Sequence, residues 1–238
     1  MRLRPLAVLA ACLLLGACAA PPIRTAPSAP AVAAGQAQAR SFVEVMAAVE
    51  PVAEEECARR NPGANCDFRI VVDDRPGMPP NAFQTLDGNG RPLLALTASL
   101  IAQMRNADEI AFVMSHEASH HIAGHLARQD ENAMLGAAVF GELASREAGA
   151  TAESIRMAQM VGAQVGARSF SKEFELEADA LAVLVASQAG FDPIRGAEFF
   201  LRIPDPGNRF LGTHPSNAER IATVTRAAAE LGLLAPAS

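Results

Sequence analysis

Four of the chain's five histidines lie in one short stretch, SHEASHHIAGH at 115–125. His116 and His120 are four residues apart, so on a helix both imidazoles project from one face, one turn apart. Two nitrogens placed in this way can share one zinc ion at about 2.0–2.1 Å. Glu117 follows the first histidine, where a carboxylate can take a proton from a metal-bound water. The stretch predicts a hydrolytic metal site; the alternative is a solvated, histidine-rich helix face.

A catalytic zinc site usually takes three protein ligands, so His116 and His120 need a third. Some zinc proteases supply a histidine six residues after the second ligand, but Leu126 occupies that position here. His121 and His125 lie off the shared face of a continuous helix. We therefore predict that both are surface residues or residues that support the ligands, and that neither binds the metal.

Acidic residues in SKEFELEAD at 171–179 offer the other source of a third ligand: Glu173, Glu175, Glu177 and Asp179. Glu175 and Asp179 share one helix face, because they are four residues apart. Glu175 could bind the metal while Asp179 accepts a hydrogen bond from a ligand histidine and fixes its tautomer. Apolar neighbours separate the acids, so spacing alone does not choose among the four.

The histidines are predicted to lie on a long, half-buried helix. Asn106 and Glu109 resemble a capping box, and apolar residues follow at helical spacing over 107–128. Earlier in the chain, residues 66–74 predict a strand, and residues 91–100 predict a strand that runs into a helix. Strands come early and helices dominate later, which favours an α+β domain.

Further helices are predicted at both ends of the domain and between them. Ser41 with Glu44, and Ser216 with Glu219, form capping boxes that start the first and last helices. Asp192 followed by Pro193 starts another helix. Residues 132–189 are helical in composition, and four glycines there are predicted to allow close contacts between helices: Gly136, Gly141, Gly162 and Gly166.

The N-terminus has the composition of an export signal. Arg2 and Arg4 precede an apolar run at 6–15, which is too short to cross a bilayer. Small residues before Cys18 predict a signal peptide over 1–17 and a lipidated Cys18; ordinary cleavage nearby is the alternative. Residues 18–39 are rich in Pro and Ala and predict a flexible tether to one domain over 40–238.

Composition excludes one class of partner and predicts a crosslink. The formal net charge is −6 and there is no basic stripe, so nucleic acid is not an expected partner. Cys57 and Cys66 remain after export, and a close pair in an exported protein predicts a disulfide. Two buried thiols are the alternative.

Three motifs together resemble the HtpX-like and CaaX-prenyl-protease family of zinc endopeptidases: HEASHHIAGH, SKEFELEAD and THPSNAERI. The resemblance runs over residues 68–226 and is strongest to the family's periplasmic and lipoprotein branch; Lys172 is a minor departure from its pattern. It implies a zincin-like fold, mostly helical with a small sheet. It also implies that one zinc ion is bound by His116, His120 and Glu175, with Glu117 as base and Asp179 behind a ligand.

Attack on a peptide carbonyl needs a donor for the negative charge that develops on oxygen, and the chain contains no Tyr. His214 and Arg220 are the candidates. The resemblance places His214 in a segment that approaches the metal in some relatives. We therefore expect His214 to stabilise the oxyanion or to latch the site shut; ordering a loop is the third alternative. Arg220 is expected to be structural and to pair with an acid.

The resulting expectation is a zinc metalloendopeptidase that acts on cell-envelope proteins, in protein quality control. Its expected location is the bacterial periplasm, with a lipid anchor in the outer membrane. Its expected partners are protein substrates, the membrane and the envelope assembly machinery, and NAFQTL at 81–86 could offer an edge strand to an extended substrate. The alternative is a low-turnover chaperone or assembly factor that uses the same cleft. Glu117 argues against it, because a pure binder needs no base there.

Overall fold

The protein is described here from a computed structural model, over residues 29–207 and 212–234. The predicted signal peptide, Cys18 and the first part of the predicted tether lie outside the described residues.

The described residues form an α+β fold that is mostly helical, as predicted. In chain order the elements are α1 (Ala29–Arg60), β1 (Arg69–Asp73), β2 (Ala82–Leu86), β3 (Pro92–Thr97), α2 (Ala98–Ile101), α3 (Ala107–Ile122), α4 (His125–Ser145), α5 (Ala152–Ser169), α6 (Ser171–Gln188), α7 (Pro193–Ala197), a 3₁₀ helix (Glu198–Leu201) and α8 (Asn217–Glu230).

The three strands form one sheet in the order β1-β3-β2. β3 is the central, mostly buried strand; it runs parallel to β1 and antiparallel to β2, with Phe83 opposite Ala95. β2 is therefore an edge strand, as NAFQTL predicted. The predicted strand at 66–74 and the predicted strand-to-helix passage at 91–100 are both confirmed.

Helix α3 runs through the core between α1, α6 and α7. Its N-terminus is capped as predicted: the Asn106 side chain accepts a hydrogen bond from the Glu109 backbone N–H at 2.9 Å. Ile110, Phe112 and Met114 are almost fully buried on it. Burial of these side chains fixes the rotation of α3 about its axis, and with it the direction of the histidines.

The prediction of one continuous helix over 107–128 is wrong at Gly124. Helix α3 ends at Ile122, and Gly124 takes a left-handed conformation with φ 67° before α4 begins at His125. Glycine adopts this conformation without a steric penalty and commonly ends helices. The chain changes direction here, so spacing counted along a single helix does not place His125.

The predicted start of the first helix is also wrong. Helix α1 begins at Ala29, so Ser41 lies inside it, and residues 29–39 of the predicted tether are helical. The Ala-rich composition of this segment favours helix. The Gln38 side chain donates hydrogen bonds to the carbonyls of Ile101 at 2.8 Å and Met104 at 2.9 Å. The end of this segment is thereby attached to the domain.

Helices α4 and α5 form a hairpin that contacts mainly itself. Its glycines allow the close approach that the sequence predicted: a Cβ atom on Gly162 would lie 2.2 Å from the carbonyl oxygen of Gly136. Large apolar side chains are exposed along it, among them Met134, Leu135 and Met160. The hairpin is therefore held by backbone-to-backbone contact and not by a large apolar core.

Cys57 and Cys66 form a disulfide with a Cα–Cα distance of 5.7 Å. It joins the end of α1 to the segment before β1, and Cys57 is fully buried. Within residues 29–207 and 212–234, no helix combines the length and the apolar character needed to cross a membrane.

Candidate metal centre

Helices α3 and α6 bring His116, His120 and Glu175 together, so that one potential ligand atom from each lies within 4.8 Å of the others. The two Nε2 atoms are 3.1 Å apart. The Glu175 carboxylate lies 3.5 Å from Nε2 of His116 and 3.4 Å from Nε2 of His120. Three donors therefore face one point, as the four-residue spacing on α3 requires.

The donor set fits a divalent metal ion. Two imidazoles and one carboxylate are the protein ligands of one class of catalytic zinc site, which keeps a further position open for water or substrate. All three side chains are largely shielded from solvent. Such an ion acidifies water and polarises a carbonyl group. The site is therefore suited to hydrolysis.

A cleft of about 410 Å³ lies in front of these side chains. One wall comes from β2 and the segment before it, through Asn81, Ala82 and Phe83. Phe112 and Phe174 add apolar surface, and Glu117 and His214 also face the cleft. A groove that borders an edge strand and a metal centre can accommodate an extended polypeptide.

Glu117 lies beside the donors and is 9% exposed. Burial raises the pKa of its carboxyl above the ordinary value, Glu175 adds to this effect, and the nearby histidines oppose it. A carboxyl whose pKa moves toward neutrality is better suited to take up and return a proton. Glu117 thus has both the position and the environment of a general base.

Behind His116, a buried ion pair between Asp179 and Arg220 contacts the second ring nitrogen, Nδ1. Asp179 Oδ1 lies 2.9 Å from His116 Nδ1 and 2.6 Å from Arg220 Nη2, and Asp179 Oδ2 accepts from Arg220 Nε at 2.7 Å. Burial and Arg220 lower the pKa of His116, but the Asp179 and Glu175 carboxylates outweigh them and raise it to about 10. Asp179 is thus placed to keep a proton on Nδ1 and to direct Nε2 toward the site.

Glu175 is the acid that geometry selects from the four candidates. Burial opposes its ionisation, but the histidine side chains around it hold the pKa of this carboxyl well below its usual range. Glu173 is exposed, and Glu177 points away from the site toward Arg128. The choice depends on how α6 is rotated against α3, which no local pattern contains.

His214 lies at the rim of the site. Its Nδ1 atom is 3.1 Å from Glu175 Oε2, and its side chain is 55% exposed. Arg220 is buried and pairs with Asp179, while its Nη2 atom lies 3.8 Å from Glu175 Oε2. Both predicted candidates for charge stabilisation are therefore near the donors, His214 on the solvent side and Arg220 on the core side.

The remaining two histidines take different directions. His121 lies 2.8 Å from the Asn65 carbonyl, away from the donors. His125 is buried directly behind His120, with 2.8 Å between their Nδ1 atoms. Burial, together with His120, lowers the pKa of His125 to about 4, although Glu177 acts in the opposite direction. Gly124 was the sequence signal that could have placed His125 correctly, because it ends α3.

The sequence pattern of peptidase family M48 matches residues 39–228. The chain belongs to peptidase family M48. Family membership confirms the metalloprotease class and the zincin-like α+β fold that the sequence predicted. The M48 match also contains all the residues described at the candidate metal centre.

Individual relatives of the chain are named as proteases. The chain is 31% identical over 154 residues to the beta-barrel assembly-enhancing protease of Escherichia coli (strain K12), an alignment that covers 60% of this chain and 31% of that protein. It is 32% identical over 157 residues to the protein of the same name in Yersinia pestis, with 59% and 31% covered. The chain thus matches less than a third of the length of these relatives.

Proposed function

We propose that the chain is a zinc-dependent endopeptidase. The observation that carries this proposal is the convergence of His116, His120 and Glu175 beside Glu117, in a cleft bordered by an edge strand. Zinc is the ion that best suits two imidazoles and one carboxylate at a site for hydrolysis. Membership of peptidase family M48 supports the same conclusion.

In this proposal His116, His120 and Glu175 hold the ion, which supplies the acidification of water and the polarisation of the scissile carbonyl. Glu117 takes a proton from the attacking water and returns it to the leaving nitrogen. Asp179 keeps His116 in the tautomer that presents Nε2 to the site.

A polypeptide is the substrate that the cleft suits. Ala82, Phe83 and Gln84 of β2 line it, and β2 has no strand on its outer side among the described elements. An extended segment can pair with such an edge through its backbone, which gives affinity with little dependence on side chains. We therefore propose unfolded or misassembled proteins as substrates.

We further propose that these substrates are cell-envelope proteins and that the chain acts in quality control in the bacterial periplasm. The export-signal composition of residues 1–17 and the small residues before Cys18 support export and a lipid anchor in the outer membrane. Relatives named for enhancing β-barrel assembly support a partner among the envelope assembly machinery.

His214 is proposed to act at the same site. Its distance of 3.1 Å from Glu175 supports either stabilisation of the oxyanion or a latch over the metal. His214→Ala should lower the rate of peptide cleavage in the first case and raise it in the second. An unchanged rate would remove both roles. A latched wild type would have the low turnover expected of a chaperone-like protein.

Casein cleavage by the zinc-loaded chain tests the proposal. Wild type should cleave, whereas Glu117→Gln should hold the same amount of zinc and lose activity by about 10²- to 10⁴-fold, the usual contribution of a general acid–base group. Glu173→Gln is the control, because it makes the same substitution at an exposed glutamate outside the donor set. Equal cleavage by wild type and Glu117→Gln would contradict the proposal, and so would zinc binding without cleavage in wild type and in His214→Ala.

A further inference from the structure

The ring nitrogen of His120 that faces away from the metal site lies against a second histidine. His120 Nδ1 and His125 Nδ1 are 2.8 Å apart, and the two rings meet edge to face with their centroids 5.0 Å apart. Two imidazole nitrogens at this distance share one hydrogen atom, so one of them donates and the other accepts. Which nitrogen donates decides whether His120 can bind a metal through Nε2.

The contacts continue beyond His125 to the surface. His125 Nε2 lies 3.2 Å from Glu177 Oε2, and Arg128 Nη1 donates to the same oxygen at 2.8 Å. The result is a line of contacts that leads from Arg128 through Glu177 and His125 to His120.

The chemistry of Arg128 and Glu177 determines which atom donates and which accepts in each of these contacts. A guanidinium only donates hydrogen bonds, and a carboxylate only accepts them. His125 Nε2 must therefore donate to Glu177, which leaves Nδ1 of the neutral ring as an acceptor. His120 Nδ1 must then be the donor, so the neutral His120 ring carries no proton on Nε2. The lone pair of Nε2 faces His116 and Glu175.

Packing holds the His125 ring with Nε2 toward Glu177 and Nδ1 toward His120. The ring is 4% exposed and stacks on Phe174, with centroids 4.6 Å apart and an interplanar angle of 11°. The guanidinium carbon of Arg128 lies 4.4 Å from the centroid of the same Phe174 ring. His125 thus has two separable features, an apolar stack and a polar contact with His120.

We propose that His125 is a positioning residue that, oriented by Glu177, holds His120 in the Nδ1–H tautomer and so presents Nε2 to the metal. This inference rests on the proposed function, because it concerns the same metal site. It assigns to a neutral histidine the role that a carboxylate has behind His116. Residues in this role commonly change metal affinity by about 10- to 100-fold when they are replaced.

Two substitutions separate the polar contact from the stack. His125→Asn keeps an acceptor, since Oδ1 of Asn can occupy the place of Nδ1, but it loses the aromatic stack. His125→Phe keeps the stack on Phe174 and loses the acceptor. Zinc affinity is measured for the full chain by competition with a chromophoric zinc chelator. We expect His125→Phe to bind zinc about 10- to 100-fold more weakly than wild type, and His125→Asn to stay within a few-fold of it.

Equal weakening in both variants would overturn the inference, because packing would then explain the loss. Wild-type affinity in His125→Phe, or a larger loss in His125→Asn than in His125→Phe, would overturn it as well. Wild type that fails to bind zinc contradicts the proposed function itself. The two failures are therefore distinguishable within one experiment.

A second measurement uses the wild type alone, so it does not depend on whether a variant folds. Two-bond ¹H–¹⁵N correlation spectra of the zinc-loaded wild type report which ring nitrogen carries the proton in each histidine, and the chain has only five. His120 should be protonated at Nδ1 and His125 at Nε2. A proton on Nδ1 of His125 would overturn the inference, since His120 could not then donate to it.

Discussion

The two histidines of the metal site are supported in different ways. Behind His116, the supporting ion pair is Asp179 with Arg220, whose side chains are 0% and 11% exposed. Behind His120, the charged pair is Glu177 with Arg128, whose side chains are 48% and 43% exposed. His125 is interposed on that side, so the neighbour of His120 Nδ1 is an imidazole and not a charged side chain.

The two sides differ in whether the residues that orient the ligand histidine include a buried charged pair. In the proposed site both arrangements direct Nε2 toward the metal, but only the one behind His116 places a charged pair in the core. Breaking a buried pair leaves an uncompensated charge, whereas breaking an exposed pair costs little. We therefore expect the His116 side to govern stability as well as metal binding, and the His120 side to govern metal binding alone.

Arg220→Met should give the largest effect, because it leaves the Asp179 carboxylate buried without its cation. The free energy of unfolding should fall by about 3–5 kcal/mol, the usual result of breaking a buried ion pair. Urea denaturation of the zinc-loaded chain measures this. Arg226→Met on the same helix is the matched control, because Arg226 is exposed. Similar losses in both variants would show that the buried pair with Asp179 has no special weight in stability.

Gly162→Ala should have an intermediate effect that is confined to the hairpin. The new Cβ atom would lie 2.2 Å from the Gly136 carbonyl oxygen, so α4 and α5 must separate. Overpacking of this kind costs about 1–3 kcal/mol. Hydrogen–deuterium exchange should then accelerate across α4 and α5, while α6 remains protected.

Gly162→Ala also tests the difference between His116 and His120. His125 and Arg128, which lie behind His120, are in the first turn of α4, whereas Asp179, which lies behind His116, is on α6. Zinc affinity should fall less than in His125→Phe. Gly63→Ala is the control, because a Cβ atom at Gly63 would meet nothing within 4 Å. Unchanged exchange in the hairpin of Gly162→Ala would show that α4 and α5 do not depend on this contact.

Glu177→Gln should have the smallest effect. The amide oxygen of Gln can still accept from His125, and the exposed pair with Arg128 contributes no more than about 1 kcal/mol. Asp179→Asn is the partner experiment on the other side, and it should weaken zinc binding by about 10- to 100-fold. Chelator competition on both variants measures the contrast. Equal losses would mean that the exposed carboxylate is as important as the buried one.

Local signals predicted much of this arrangement. The caps at Asn106, Asp192 and Ser216 were visible in the sequence and are present in the structure. The spacing of His116 and His120 was sufficient to place both imidazoles on one face, because that relation lies within one helix turn. Such features depend on neighbours a few residues apart.

Other features depend on contacts between distant segments, and residue spacing alone did not predict them; Glu175 was predicted only through the family resemblance. The choice of Glu175 over Glu177 depends on how α6 is rotated against α3. The position of His125 depends on the left-handed Gly124, which redirects the chain after α3. The early start of α1 shows that an Ala-rich segment can extend a helix beyond a good capping box.

X-ray absorption at the zinc edge tests the central claim most directly, on the chain loaded with one equivalent of zinc. We predict a first shell of nitrogen and oxygen at about 2.0–2.2 Å, with the outer-shell scattering of two imidazoles and no sulfur. The Glu175→Ala variant should lose the bound zinc or show a changed shell. A sulfur ligand at about 2.3 Å, or a spectrum that Glu175→Ala leaves unchanged, would contradict a centre built from His116, His120 and Glu175.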